Sequence, residues 1–317
     1  MLVWIQRAGL AAALAASALL AGCWDDNDSA DPKNIVEIAQ SDPNLSTLVE
    51  AVVAAGLTET LSDENATLTV FAPTNTAFAA LLTELGITKE ALFADKELLT
   101  AVLTYHVLDS EVKAAGIPVG KPITTLQGGY FKIDGSPLGI TDGRNRVSSI
   151  TQTDIEASNG VIHVVNQVLL PADKTVVDTA AALAAGDPAE FTLLVEALQT
   201  TGLDATLSGT GPFTVFAPTD AAFAALLEEL GVSKEELFAD TALLSKVLTY
   251  HVVPALVLKA DVPVGTAITT VEGETFTVDS TLAITDTQAR KAQITATDVL
   301  ASNGVIHVID KVILPTL

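Results

Sequence analysis

Four histidines and one cysteine are the side chains of this chain with the greatest potential for chemistry near neutral pH. The histidines are His106, His163, His251 and His307. A ligand or metal role is one interpretation. No second histidine or cysteine lies at chelating spacing, and the neighbours are mostly leucine and valine. We therefore favour the other interpretation, in which each imidazole is half-buried and hydrogen-bonded to local backbone or carboxylate groups.

Two of these histidines follow a tyrosine, forming the pairs Tyr105-His106 and Tyr250-His251. His106 falls seven residues after Leu99, on the apolar face of a predicted helix. Each tyrosine ring is expected to pack while its hydroxyl finds a partner. The structural interpretation is favoured for both pairs, and a binding role is the alternative.

No familiar catalytic pattern accompanies these residues. The sequence lacks a Gly-x-Ser-x-Gly elbow, a phosphate-binding glycine loop and a His-Glu-x-x-His zinc helix. Carboxylates are abundant, but acids that recur between two related segments, such as Asp95 and Asp240, fall at predicted helix caps. The sequence predicts a protein that is not an enzyme and has no cofactor or metal. A hydrolase with an undetected carboxylate pair is the alternative.

The cysteine lies at the end of an apparent export signal, residues 1–23. Arg7 supplies an early positive charge, and the apolar run at residues 9–20 is too short to span a bilayer. The run ends in LAGC at residues 20–23, which resembles the bacterial lipobox. The resemblance implies acylation of Cys23 and stable anchoring by two or three acyl chains. An ordinary secretory signal, with Cys23 near the cleavage point by chance, is the alternative.

An acidic segment, residues 24–32, follows the cysteine and is predicted to be a tether. The whole chain has 16 Lys and Arg against 39 Asp and Glu, a formal net charge of -23. Such a charge disfavours nucleic-acid partners and polybasic membrane patches. The membrane contact is therefore expected through the lipid. This favours a bacterial envelope location at the outer membrane or cell surface, with the periplasmic face of the inner membrane as the alternative.

The remaining sequence is a tandem duplication of one unit. Residues 71–107 recur as residues 216–252, and residues 157–171 recur as residues 301–315. The first pair of segments is offset by 145 residues, which far exceeds the period of solenoid repeats. We expect two tandem domains, residues 33–171 and 172–317, with a junction so short that they touch or pivot little.

Helical and strand patterns are segregated within each unit, which predicts an α+β fold. Amphipathic helical spacing dominates the first part, with Gly56 and Gly86 as helix stops. Short β-rich pieces follow, and they are typical of a compact antiparallel or mixed sheet. The predicted strands are residues 67–71, 123–126, 130–133, 147–151 and 161–170.

Several recurring polar residues have structural interpretations. Asn75 and its counterpart Asp220 stand at a helix start, where Thr74 or Asn75 is expected to be the cap. Asn159-Gly160 and Asn303-Gly304 predict a type I′ or similar reversal before a strand. Asp154 and Asp298, five residues before these turns, are candidates to accept hydrogen bonds from them.

Three ordered motifs, each present twice, resemble the fasciclin domain family. TVFAPTNTAF at residues 69–78 and TVFAPTDAAF at residues 214–223 resemble its first signature. NGVIHVVNQVLLP at residues 159–171 and NGVIHVIDKVILP at residues 303–315 resemble its second. The Tyr-His pairs lie between them. The resemblance implies two domains, each a β-wedge or sandwich-like sheet core flanked by several short helices.

The same resemblance implies adhesion or extracellular binding without catalysis. In animal matrix members the Tyr-His region is linked to receptor contact, so a binding role is implied for Tyr105, His106, Tyr250 and His251. The expected function is lipid-anchored adhesion to, or binding of, a surface protein or polysaccharide. A periplasmic accessory protein that binds a ligand for an export or degradation system is the alternative.

Overall fold

The computed structural model describes residues 32–135 and 137–317. The predicted export signal, Cys23 and nearly all of the predicted tether lie outside these residues. Residues 33–317 form one compact unit. It contains two domains of mixed α and β structure, as the segregated helical and strand patterns predict.

The described residues of domain 1 form six α-helices and seven β-strands, with two 3-10 turns between them. The helices are α1 (Ile35–Ser41), α2 (Ser46–Ala55), α3 (Thr58–Ser62), α4 (Asn75–Leu85), α5 (Lys89–Ala94) and α6 (Lys96–Tyr105). The strands are β1 (Leu68–Pro73), β2 (Val107–Leu108), β3 (Pro122–Thr124), β4 (Tyr130–Asp134), β5 (Gly139–Thr141), β6 (Val147–Ala157) and β7 (Gly160–Val165).

The described residues of domain 2 repeat this order of helices and strands, with one 3-10 turn instead of two. Its helices are α7 (Val176–Ala184), α8 (Thr192–Thr201), α9 (Leu203–Leu207), α10 (Asp220–Leu230), α11 (Lys234–Ala239) and α12 (Thr241–Tyr250). Its strands are β8 (Phe213–Pro218), β9 (Val252–Val253), β10 (Ala267–Thr269), β11 (Thr275–Val278), β12 (Ala283–Thr285), β13 (Lys291–Ala301) and β14 (Gly304–Ile309).

Each domain is built on a single mixed sheet. In domain 1 the strand order is β2-β1-β7-β6-β5-β4-β3, and domain 2 has the same order with its own strands. Strands β3 to β7 form an antiparallel meander, whereas β1 pairs with β7 in parallel. The earliest strand of the domain is therefore placed beside the last one, so the sheet unites the two ends of the domain sequence.

Both faces of strand β1 are buried, and this produces two cores in domain 1. Val70 and Ala72 face the core formed with helices α1 to α6. Phe71 faces the second core, which the curved sheet encloses with Phe131 and Ile133 of β4. The Phe71 and Phe131 rings meet edge to face at 5.2 Å between centroids, an arrangement that aromatic quadrupoles favour.

Most predicted helix boundaries are confirmed by their caps. Gly56 and Gly86 end helices in the left-handed conformation, where a glycine avoids the steric cost of a Cβ. The Asp95 side chain accepts a hydrogen bond from Leu98 N at the start of α6. Ser233 and Glu236 form a capping box at the start of α11.

At two helix and strand ends the structure decides between the predicted alternatives. Thr74 caps α4, and Asn75, its first residue, caps the neighbouring helix α2 instead, because its Oδ1 accepts from Thr47 N. Asp220 does the same for α8. The turn before β7 is not type I′, since that type needs positive φ at both central residues and neither residue 158 nor 159 has it.

The strands were predicted incompletely. Strand β6 extends to Ala157, well beyond the predicted residue 151, and β7 ends at Val165 rather than at residue 170. The short strands β2 and β5 were missed. Pro73 is the last residue of β1, which lies between β2 and β7.

Candidate functional site: the tyrosine-histidine networks

His106 stands where helix α6 ends and is fully buried. Its Nδ1 donates to the carbonyl of Val102, 2.7 Å away, and its Nε2 accepts from Leu169 N at 2.8 Å. One ring nitrogen must carry the proton and the other must lack it, so the geometry fixes a neutral tautomer. Burial lowers the pKa of His106 to about 4, although the bond to Val102 acts in the opposite direction.

Tyr105 points into the other core of the domain. Its ring meets Phe131 edge to face, and its hydroxyl donates to the carbonyl of Tyr130 at 2.6 Å. Burial raises the pKa of Tyr105. Successive side chains at the end of α6 therefore hold different parts of the fold, since Tyr105 holds strand β4 and His106 holds the segment after β7.

His163 is buried in the middle of strand β7. Its Nε2 donates to Val112 O at 2.9 Å, and its Nδ1 accepts from Asp154 N at 3.2 Å. Asp154 has a positive φ of 57° at an irregularity of β6, and its carboxylate accepts from Ala114 N. The prediction that Asp154 accepts hydrogen bonds from the following turn was therefore wrong.

Domain 2 reproduces these networks almost atom for atom. His251 Nδ1 donates to Val247 O at 2.7 Å, its Nε2 accepts from Ile313 N at 3.1 Å, and burial lowers its pKa to about 4. The hydroxyl of Tyr250 donates to Thr275 O, and burial raises its pKa to about 12. His307 donates to Val257 O, and burial lowers its pKa.

The binding role implied for Tyr105, His106, Tyr250 and His251 stays a prediction, and the geometry restricts it. None of the four side chains is more than 2% exposed. A partner that approaches this region meets the backbone and the neighbouring loops rather than these rings. The pairs can affect binding by holding those surface elements in position.

Asn159 has a structural role that its sequence pattern did not reveal. Its buried side chain accepts from Ile35 N and donates to the carbonyls of Leu61 and Asp63. It thereby fixes the start of α1 and the end of α3 against the sheet. In domain 2, Asn303 makes the same three kinds of bond with Val176, Leu207 and Gly209.

Gly160 and Gly304 are required by close backbone packing. A Cβ at Gly160 would collide with the carbonyl oxygen of Leu68, and one at Gly304 would collide with that of Phe213. Each glycine therefore lets β7 or β14 approach its parallel neighbour. In each asparagine-glycine pair, the asparagine ties helix ends to the sheet and the glycine allows two parallel strands to pack closely. The turn pattern in the sequence indicates neither role.

Asp142 is a buried carboxylate that the sequence reasoning missed. It accepts from the backbone of Arg144, Arg146 and Leu170, and Arg146 contacts it at 2.7 Å through Nη2. These bonds fix the β5–β6 turn against the segment after β7. The recurring Asp and Arg at a spacing of four, also found at residues 286 and 290, was the available signal.

A groove of about 600 Å³ lies between the two domains. Arg144, Lys174 and Leu183 line it, together with Glu84 and Asp173. Arg144 pairs with Asp173 at 2.9 Å. The groove offers cationic, acidic and aliphatic groups to a ligand within a chain that is otherwise strongly acidic.

Within residues 32–135 and 137–317, no three His, Cys, Asp or Glu side chains converge in a way that could hold a metal ion. Among the same residues, none of the helices combines the length and apolar character needed to cross a bilayer.

The fold and its networks define a class, a tandem α+β protein whose Tyr-His pairs serve as internal supports. A fasciclin domain model matches residues 43–171 and 189–315. The two matches cover most of the chain, and the chain therefore belongs to the fasciclin domain family. The resemblance predicted from the three motifs is confirmed.

Relatives include proteins of very different size. Protein sll1483 from Synechocystis sp. is 43% identical over 140 residues, which span 43% of this chain and 73% of that protein. Human periostin is 28% identical over 288 residues, spanning 89% of this chain and 31% of periostin. Transforming growth factor-beta-induced protein ig-h3 from Sus scrofa is 39% identical over 137 residues, spanning 43% of this chain and 19% of its own length.

The chain thus spans less than a third of these two animal relatives. Among solved structures, a FAS1 domain pair from the insect cell adhesion molecule fasciclin I is similar, with a TM-score of 0.42 and 18% identity. That match covers 88% of this chain and 95% of the insect one.

Proposed function

We propose that this chain is a non-catalytic, lipid-anchored adhesion or binding protein of the cell envelope. In this proposal Cys23 carries the lipid, and two fasciclin domains are presented to a protein or polysaccharide outside the membrane. Membership in the fasciclin family supports the adhesive role. An outer-membrane or cell-surface location is favoured over the periplasmic face of the inner membrane.

The observation that carries the non-catalytic part is the state of the histidines. All four are buried, and each uses both ring nitrogens in bonds to backbone groups. A general base needs a free nitrogen within reach of a substrate proton. These rings offer none, because their donors and acceptors are used by the fold.

A binding screen tests the proposal. Residues 33–317, the compact unit, would be presented to a glycan panel and to whole cells, while the same sample is assayed for hydrolysis. We expect saturable attachment and no turnover. Turnover that a single carboxylate substitution abolishes would overturn the non-catalytic assignment.

The anchor has its own test. Cys23→Ala should move the full chain from the detergent phase to the aqueous phase, because the acyl chains can no longer be attached. Cys23→Ser serves as a second variant of similar size. If both variants stay in the detergent phase, the anchor assignment is wrong.

The interdomain groove favours a second candidate function, that of a periplasmic accessory protein that binds a ligand. The groove has the volume of a small-molecule site and combines aliphatic walls with a few charged groups. Arg144→Ala combined with Lys174→Ala should abolish binding of an anionic ligand while cell attachment persists. Loss of cell attachment in that variant would assign the groove to adhesion instead.

A further inference from the structure

The two domains are joined through different faces of the same fold. Domain 1 contributes strand β4 and the β5–β6 turn, through Tyr130, Lys132 and Asn145. Domain 2 contributes the irregular strand β13 and the turn after it, through Asp298 and Leu300. These two sets of residues are called the joint below.

Backbone recognition supplies part of the joint. The Tyr130 hydroxyl contacts Gly304 O at 2.6 Å and Ala301 O at 3.1 Å. Asn145 Nδ2 donates to Leu300 O at 3.0 Å, and its Oδ1 accepts from Leu300 N at 2.7 Å. The asparagine therefore pairs with Leu300 as a neighbouring strand residue would.

A charged contact lies beside these bonds. Lys132 Nζ is 2.9 Å from Asp298 Oδ2 and 2.8 Å from Asp134 Oδ2. The Lys132 side chain is only 13% exposed, and that of Asp298 is 3% exposed. Burial acts to lower the pKa of Lys132, but its hydrogen bonds to the two carboxylates raise it overall, so the ammonium stays charged.

Apolar packing completes the joint. Leu258, Leu300 and Val305 of domain 2 form a buried cluster, and the Tyr130 ring of domain 1 packs against it. An aromatic ring in an apolar pocket, with its hydroxyl bonded to backbone carbonyls, is typical of residues that dominate an interface energetically.

The face of domain 2 that corresponds to the joint face of domain 1 is not part of the joint; we call it the free face of domain 2. It lacks the side chains with which domain 1 forms the joint. The strand registers and the bonds from Tyr105 and Tyr250 make Thr275 the counterpart of Tyr130. Thr277 likewise corresponds to Lys132. Ala289 stands where Asn145 stands, with the same left-handed backbone. All three joint side chains of domain 1 are therefore shortened in domain 2.

The face of domain 1 that corresponds to the joint face of domain 2 is likewise not part of the joint; we call it the free face of domain 1. It lacks the apolar side chains with which domain 2 receives Tyr130. Lys113 and Glu156 occupy the positions of Leu258 and Leu300, as the turn and strand registers show. They form an exposed ion pair at 2.7 Å. An incoming tyrosine would have to break this pair and bury the charges, which is costly.

We infer that the joint is a one-way, self-terminating interface, whose specificity is set by the positions at which the two domains differ. A joint between unlike faces of equivalent domains could add further copies end to end. The threonines and alanine at one free face, and the ion pair at the other, prevent a second copy of this chain from docking. The molecule is therefore a fixed two-domain body with two unlike ends.

Complementary half-variants test this inference on residues 33–317. The tail variant changes the free face of domain 2 and carries T275Y, T277K and A289N. The head variant changes the free face of domain 1 and carries K113L and E156L. Each restores one face to its joined form, using residues that the other domain already tolerates at that position. Each variant alone should keep the monomer mass in light scattering, and an equimolar mixture should form dimers.

Combining all five substitutions in one chain should give oligomers whose mass rises with protein concentration. Circular dichroism of each variant reports whether the domains remain folded. Folded half-variants that stay monomeric when mixed would overturn the inference, as would a wild-type chain that oligomerises end to end.

The opposite change tests the joint itself. Y130T, K132T and N145A give domain 1 the residues of domain 2, so each fold should persist while the joint opens. We expect a larger radius of gyration in solution scattering and roughly tenfold faster proteolysis at residues 171–174. An unchanged radius of gyration and unchanged cleavage would show that these residues do not hold the joint.

Discussion

Domains 1 and 2 share their internal supports and differ at their outer faces. Tyr105 and His106 make the same bonds as Tyr250 and His251. Where domain 1 has Tyr130 in the joint, however, domain 2 exposes Thr275. A buried side chain with fixed partners constrains both copies equally. An exposed position is free to acquire a role that only one copy performs.

The largest expected effect concerns the close contact of the parallel strands. Gly160→Ala and Gly304→Ala should each lower the free energy of unfolding by at least about 3 kcal/mol, since the new Cβ would collide with backbone. Urea denaturation of residues 33–317 measures this.

Gly86→Ala is the matched control. Gly86 has a positive φ of 66°, as Gly160 has one of 146°, but nothing lies within 4 Å of a Cβ built on Gly86. It should cost about 1 kcal/mol. Equal costs for Gly86→Ala and Gly160→Ala would contradict the close-contact explanation.

Acidification should destabilise both domains through His106 and His251. Their folded pKa of about 4 lies below the unfolded value of 6.5, so the unfolded chain binds more protons between these values. Stability is therefore complete above pH 6.5 and falls as the pH drops toward 4, by about 3 kcal/mol for each ring. Urea midpoints measured across this range test the prediction.

Single substitutions distinguish the contributions of the two domains to this pH dependence. His106→Gln should remove the pH dependence contributed by domain 1 and leave that of domain 2. A pH dependence of stability that His106→Gln and His251→Gln both leave unchanged between pH 6.5 and 5 would assign it to other groups.

The asparagine tethers should matter equally in both copies. Asn159→Ala leaves Ile35 N and the carbonyls of Leu61 and Asp63 without a partner, at a cost of about 2 kcal/mol. Asn303→Ala should cost the same in thermal denaturation.

The exposed Asn65→Ala is the control for this substitution and should change stability by less than about 0.5 kcal/mol. A cost for Asn159→Ala as small as that of Asn65→Ala would show that the tether is dispensable.

The smallest effect concerns a packing difference between the helix-side cores. An apolar cavity of about 30 Å³ lies beside Val52 in domain 1, and the equivalent residue of domain 2 is Leu198. Val52→Leu should fill this space and stabilise the protein by about 0.8 kcal/mol. Leu198→Val should destabilise it by about 1 kcal/mol. A loss of stability on Val52→Leu, seen in melting curves, would show that the cavity cannot take the added methylene.

The local elements were predictable from the sequence because their signals are local. Gly86 ends a helix since it can adopt a left-handed conformation, whatever surrounds it. Asp95 caps α6 within three residues of itself. The duplication is also visible in the sequence, and it predicts two domains.

Distant partners were not predictable in the same way. Asn75 is one of two candidate caps for its own helix, yet its side chain caps α2, whose first residues lie almost thirty positions earlier. Asp142 gathers its donors from the segment after β7 as well as from its own turn. A side chain with several possible partners shows nothing in its identity about which of them folding brings near.

The sequence by itself determined that this is a duplicated α+β chain of the fasciclin type, because periodicity, caps and repeated motifs are properties of neighbouring residues. Only the tertiary structure decided that β1 lies parallel to β7, and that the Tyr-His pairs are buried supports. It alone showed that Tyr130 of domain 1 contacts the backbone of domain 2. Those results depend on which distant surfaces meet in the folded chain, and burial of apolar surface decides that over the whole molecule rather than between neighbouring residues.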